Sequence, residues 1–179
     1  MTLEQIRAQV ISTVWQAIIQ SKVDLTVIPS DQQEKLVSTI ADSVLVMVDN
    51  IMKAESEGEM AAEKQEEEQQ GEVVLWQGRP FLSLVEFYTL TNDRLKIIKG
   101  FLGRNIENFE LVRVQDIDFK QNVSERVLGI GDIEIRGHDP SDPSIVLRNV
   151  HDPEEVYETL RKAWLEARKR HGLQFREYM

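Results

Sequence analysis

Cysteine is absent from the 179 residues, which excludes disulfide scaffolds, thiolate metal centres and cysteine nucleophiles together. Histidine is scarce. His138, His151 and His171 stand apart from one another, and no serine lies in a nucleophile-elbow sequence, so the residues for acid–base or acyl-transfer chemistry are not assembled in the chain. Long apolar runs are missing as well: the longest, such as Val44 to Val48, fall far below the roughly 18 residues that span a bilayer. Positive charge is in deficit, with 21 Lys and Arg against 31 Asp and Glu and a net charge of −10. Such a surface repels phosphate backbones and anionic headgroups, which argues against nucleic-acid binding and disfavours a membrane surface.

What is present suffices for one ordinary domain and an appendage, since 41% of the residues are apolar. The first residues, Met1 to Gln5, lack a basic stretch followed by an apolar one, so a cytoplasmic protein is expected. The charge is uneven. Residues 1–71 carry 13 acidic and 5 basic side chains, net −8, whereas residues 72–179 carry 18 and 16, net −2.

In the first part, Ile6, Val10, Val14 and Ile18 recur every four residues with Trp15 beside them, which predicts an amphipathic helix over residues 3–21. Pro29 interrupts the pattern. Ser30 then suits an N-cap with Gln33 completing a capping box, and Leu36, Ile40, Val44, Val48 and Met52 form the apolar stripe of a second helix. Residues 1–52 therefore read as a helical hairpin. Residues 53–71 are rich in Glu, Lys and Gln with little to bury, and read as an acidic linker or a solvated helical extension.

From Glu72 the period changes to two. Seven short β-type runs follow, near residues 73–76, 85–91, 94–99, 106–109, 112–120, 131–136 and 144–150, and Asn92-Asp93 turns the second directly into the third. A small antiparallel barrel or sandwich is expected. Its end is marked by Asp152, able to cap, Pro153 at a first helical position, and Glu155 placed for a capping box. Val156, Leu160, Ala163, Trp164 and Ala167 then line one face of a closing helix, whose terminal Arg and Lys residues suit the helix dipole. The fold class is thus α+β, a helical hairpin preceding a seven-stranded antiparallel module capped by a helix.

Four segments in order, Glu72 to Pro80, Tyr88 to Leu95, Leu128 to Ile133 and Val150 to Val156, resemble the bacterial pleckstrin-homology-like (PH) domain family. The resemblance covers about residues 72–170 and implies a PH-like barrel, with Trp164 similar to the bulky residue by which the last helix seals it. Gly129 and Gly131 bracket the entry to a strand, where positive φ or close backbone approach is needed. Many relatives are attached to transmembrane helices, and this chain has none. Eukaryotic PH domains that bind phosphoinositides carry several Lys and Arg between their first two strands, where this chain offers only Arg79. The resemblance therefore implies a fold and a binding task but no lipid ligand.

Residue by residue, no catalytic, cofactor-binding or metal site is expected. His138, Asp139 and Asp142 form a loop with cation-ligating residue types, which a plain Pro/Asx turn explains better. The candidate interaction residues are Ile6, Val10, Val14, Trp15, Ile18, Leu36, Ile40, Val44 and Val48, and the fold-determining ones Gly129, Gly131, Asp152, Pro153 and Trp164. Two short helices cannot make an independent core, so their stripes must meet the barrel, a second copy or another protein. A homo-oligomerising hairpin displaying a protein-binding PH-like module is the leading reading; the alternatives are a peripheral membrane adaptor using Trp15 and an enzyme built at the His138 loop.

Overall fold

The structure, a computed structural model, describes residues 2–69, 71–100, 105–137 and 144–172. They form two compact units, residues 1–51 and 52–179.

The first unit holds α1 (Leu3–Ser21) and the first half of α2 (Ser30–Gln69). Thr2 caps α1 through a capping box with Gln5, and Lys22 ends it in the left-handed region at φ 55°. At the start of α2 the expected cap is replaced. Ser30 is already helical, the Pro29 carbonyl accepts the first helical N–H groups, and the Gln33 amide donates to the Leu25 and Ile28 carbonyls instead of closing a box. Proline can take this place because it lacks only a donor and keeps its carbonyl.

In the second unit α2 continues unbroken to Gln69. Two antiparallel sheets follow. The first contains β1 (Val74–Gly78), β2 (Glu86–Thr91), β3 (Arg94–Lys99) and β4 (Asn105–Glu110) in that order. The second contains β5 (Val114–Lys120), β6 (Ile130–Gly137) and β7 (Ser144–His151). A 3₁₀ turn at Leu111–Arg113 breaks the chain between β4 and β5, so β5 opens a new ladder with β6. The expected closed barrel is therefore not seen among the described residues, where the strands pair as two separate sheets.

The helix α4 (Pro153–Arg170) follows β7 and packs Val156, Leu160, Ala163 and Ala167 into one core with Tyr88, Leu90, Leu95, Ile97, Ile133 and Ile135 of the two sheets. The Trp164 indole lies half-buried against this cluster and donates to the Val114 carbonyl at 3.0 Å.

Local chemistry sets the corners. Asn122 and Glu125 form a capping box that starts a short helix α3 (Val123–Leu128), unforeseen in the strand reading, and Gly129 ends it at φ 67°. At Gly131 a Cβ would come within 3.0 Å of the Lys120 carbonyl oxygen, the Phe119 ring and Pro153. Pro153 occupies the first turn of α4, but Asp152 makes no side-chain cap. A capping side chain needs extended backbone at its own residue; Asp152 is left-handed at φ 46°, with its N–H given to the Gly129 carbonyl.

Candidate functional site

The helical stripes come first. On α1, Ile6, Val10, Val14, Trp15 and Ile18 share one face and are all half-buried; no α1 residue is fully buried. On α2 the face packed within the first unit is not the candidate interaction stripe. Val37, Ala41 and Leu45 are 1%, 0% and 3% exposed, while Leu36, Ile40, Val44 and Val48 are 37–44% exposed. The two rows are offset by one residue, or about 100° around a helix, and both are apolar, so period alone does not choose between them. The choice is made by a polar group. The Arg7 guanidinium donates to both Asp42 carboxylate oxygens, at 2.6 and 2.9 Å, and to the Ser38 hydroxyl at 2.6 Å, which turns the 37/41/45 side of α2 toward α1. Leu36, Ile40, Val44, Met47, Val48 and Ile51 are left as an exposed, uncharged stripe.

The second surface belongs to residues 52–179 and was not anticipated. Strand alternation puts Gln77, Thr89 and Lys96 side by side across β1, β2 and β3, on the face opposite the core residues Leu90, Leu95 and Ile97. The distal half of α2 lies on this polar face. Lys96 Nζ is 2.8 Å from Glu63 Oε2 and 2.8 Å from Glu67 Oε1. Arg94 Nη2 is 2.9 Å from Glu67 Oε2 and 3.1 Å from Glu72 Oε1, and Glu72 accepts from the Thr91 hydroxyl at 2.6 Å. Gln77 donates its amide to the Met60 carbonyl at 3.0 Å. Ser56, Glu63 and Glu67 are all buried.

Burial opposes ionisation of Glu67, yet its hydrogen bonds from Lys96 and Arg94 outweigh it and hold the carboxyl below the usual carboxylate range. Lys96 follows the same logic with opposite sign: burial disfavours its charge, and the hydrogen bonds to Glu63 and Glu67 raise it above its ordinary value. The two shifts agree that Glu67 and Lys96 are both ionised near neutrality.

The acidic stretch read as linker or solvated extension is therefore helix through Gln69, with two carboxylates on its packed side. A faint sequence signal existed. Leu45, Asp49, Met52, Ser56, Met60, Glu63 and Glu67 continue one helical face at spacings of four and three, but with polar residues that a hydrophobicity criterion passes over.

The other predicted sites are modest. His138, Asp139 and Asp142 lie outside the described residues. His151 meets Phe81 edge to face at 5.6 Å, and His171 terminates α4. Among the described residues no group of three or more His, Asp or Glu is placed to hold a metal ion, and no helix is long and apolar enough to cross a membrane. Arg79, the one cation between β1 and β2, is buried and donates to the Pro80 and Ser83 carbonyls of its own loop. Beside it, Met60, Trp76, Gln77 and Val156 help enclose a small cleft of about 180 Å³. On α4, the Arg168 guanidinium stacks over the Trp164 ring and Arg170 pairs with Asp93 at 3.0 Å, so part of the terminal basic cluster serves the fold.

Two antiparallel sheets followed by a helix that fills their shared core define an α+β domain. Residues 75–164 match the family model described as the bacterial PH domain, and the chain belongs to that family. PH-like domains serve in general as modules for interaction with protein or lipid. A comparison with curated proteins finds no match.

Proposed function

We infer that the chain is a non-catalytic binding and assembly protein of the cytosol, in which α1 and α2 bring copies together and the PH-type domain engages a protein partner. The observation that supports self-association is the exposed row Leu36, Ile40, Val44, Met47, Val48 and Ile51. An apolar row of this length on one helix is costly to keep in water, and such surfaces are normally covered. Its lack of charge suits a second copy: two such rows meet without like-charge repulsion, which the strongly acidic remainder of the chain would impose elsewhere.

A membrane-surface role is less well supported. Holding an amphipathic helix on anionic lipid takes flanking cations; residues 1–51 contain only Arg7, Lys22 and Lys35, and Arg7 is committed to Asp42. Arg79 is likewise bound within its loop.

Light scattering on the intact chain and on an Ile40→Asp/Met47→Asp variant tests the reading. The expected result is a dimer or larger species for the unmodified chain and a monomer for the variant. A monomeric unmodified chain overturns it, and co-sedimentation with anionic vesicles that the variant loses would move the stripe to the membrane reading.

A further inference from the structure

The distal half of α2 meets the first sheet through an unusual interface. Between residues 52–69 and β1–β3, hydrogen bonds and ion pairs join Glu63 and Glu67 to Lys96, Glu67 to Arg94, and the Met60 carbonyl to Gln77. Met60 borders a cleft at the edge of this face, and Phe87 and Ile98, paired and buried on the same side as Thr89 and Lys96, supply its apolar part. The core on the other side of the sheet is by contrast built of seventeen buried apolar residues. These interfaces have different energetics. Apolar burial holds two elements together whatever they are, whereas a buried ion pair loses in desolvation much of what it gains in attraction, so it fixes which segment sits there more than how firmly.

We propose that the outer face of the first sheet is a docking seat for an acidic amphipathic helix, that residues 52–69 occupy it in cis as a displaceable strap, and that an acidic helix of the same pattern from a partner takes their place. The pattern is legible in the occupant. Met60, Glu63 and Glu67 fall at i, i+3 and i+7, one helical face, with Ser56 one turn earlier as the small residue that lets the helix approach. The seat answers it group for group: Gln77 at the Met60 carbonyl, Lys96 between the two carboxylates, Arg94 on the far oxygen of Glu67. A phosphate-rich or basic partner does not fit, because Lys96 and Arg94 present a narrow cationic pair framed by neutral Thr89 and Gln77 and bordered by Glu72. The inference rests on the reading of the domain as protein-binding, and extends it by naming the face and the partner's chemistry. It requires nothing of α1 or of the Leu36 to Ile51 stripe.

The test uses the full-length chain and a fluorescent peptide with the sequence of residues 52–71. Glu63→Gln/Glu67→Gln loosens the strap and leaves every seat residue in place. Since apparent affinity scales with the fraction of molecules whose seat is open, this variant is expected to bind the peptide about tenfold or more tightly than the unmodified chain. Amide exchange over residues 52–69 should accelerate in parallel, and adding Lys96→Gln should abolish the gain. Met60→Arg, which opens the strap through a different contact, should reproduce the effect if the double variant does not fold. Faster exchange without peptide binding overturns the seat, and unchanged exchange with unchanged affinity overturns the displaceable strap. Light scattering of the same samples reports self-association separately, so a failure there leaves the peptide result interpretable.

Discussion

The ammonium of Lys96 stands 2.8 Å from the carboxylate of Glu67, and the Glu67 side chain has no exposed surface. Each charge is held there by its ion-pair partners, Arg94 also serving Glu67 and Glu63 also serving Lys96, since a lone charge would be strongly disfavoured out of water. Lys96→Ala should therefore destabilise the contact between α2 and β3 without disrupting the core beneath it. We expect a loss of about 1–3 kcal/mol, less than for a pair trapped in a rigid core, because the helix can lift and return Glu67 to water. Hydrogen exchange resolved by segment checks this: residues 52–69 should lose protection while β6 and β7 keep theirs.

The same pair sets a pH window. Glu67 ionises below its ordinary 4.5, so its contribution is full above that value and fades as pH falls through the lowered one. Lys96 titrates above its ordinary 10.5, so its contribution is full below that value and fades as pH rises through the raised one. Glu63, Glu72, Glu110 and Arg94 face the same cluster. Exchange over residues 52–69 should be slow and flat between pH 4.5 and pH 10.5 after correction for intrinsic rates, and rise as the pH falls well below that interval. A flat profile into strong acid would show that these charges do not hold the helix.

Within the hairpin the two rows of α2 should respond oppositely. Leu45→Ala empties a packed position and should cost about 2–5 kcal/mol in denaturant unfolding. Ile40→Ala on the outer row should cost the isolated chain little and appear instead as weaker self-association in sedimentation or light scattering. Equal effects from both would mean that the outer row has no partner in solution.

Gly131→Ala forces a methyl group against a backbone carbonyl, an aromatic ring and a proline together. Such overpacking should lower stability by about 1–3 kcal/mol. Gly129→Ala, strained only by its left-handed backbone, should cost about 1 kcal/mol. Thermal unfolding of both variants separates crowding from backbone strain.

Much of the fold was legible because it follows local rules. Alternation marked the strands, Asn92-Asp93 marked the β2–β3 hairpin, and Pro153 marked the start of α4. The misreadings have physical causes. Which row of α2 packs within the hairpin is not legible from period, because the two rows are equally apolar and the decision lay with Arg7, Ser38 and Asp42, residues distant in sequence. The Asp152 cap failed because a residue's type does not reveal its φ. Asn122 and Glu125 did carry a readable signal for α3, which the β-rich surroundings obscured. The polar seat was hidden for the deepest reason: charge in a sequence is read as solvent, and only the register of β3 against α2 shows that Glu63 and Glu67 meet Lys96.

Arg170 reaches back to Asp93 and the Asn92 carbonyl at the tip of the β2–β3 hairpin, and its helix supplies four side chains to the core between the sheets. During synthesis both sheets leave the ribosome before that helix exists. Until it follows, the nascent sheets lack those four side chains, and their facing apolar surfaces stay open to water and to wrong partners.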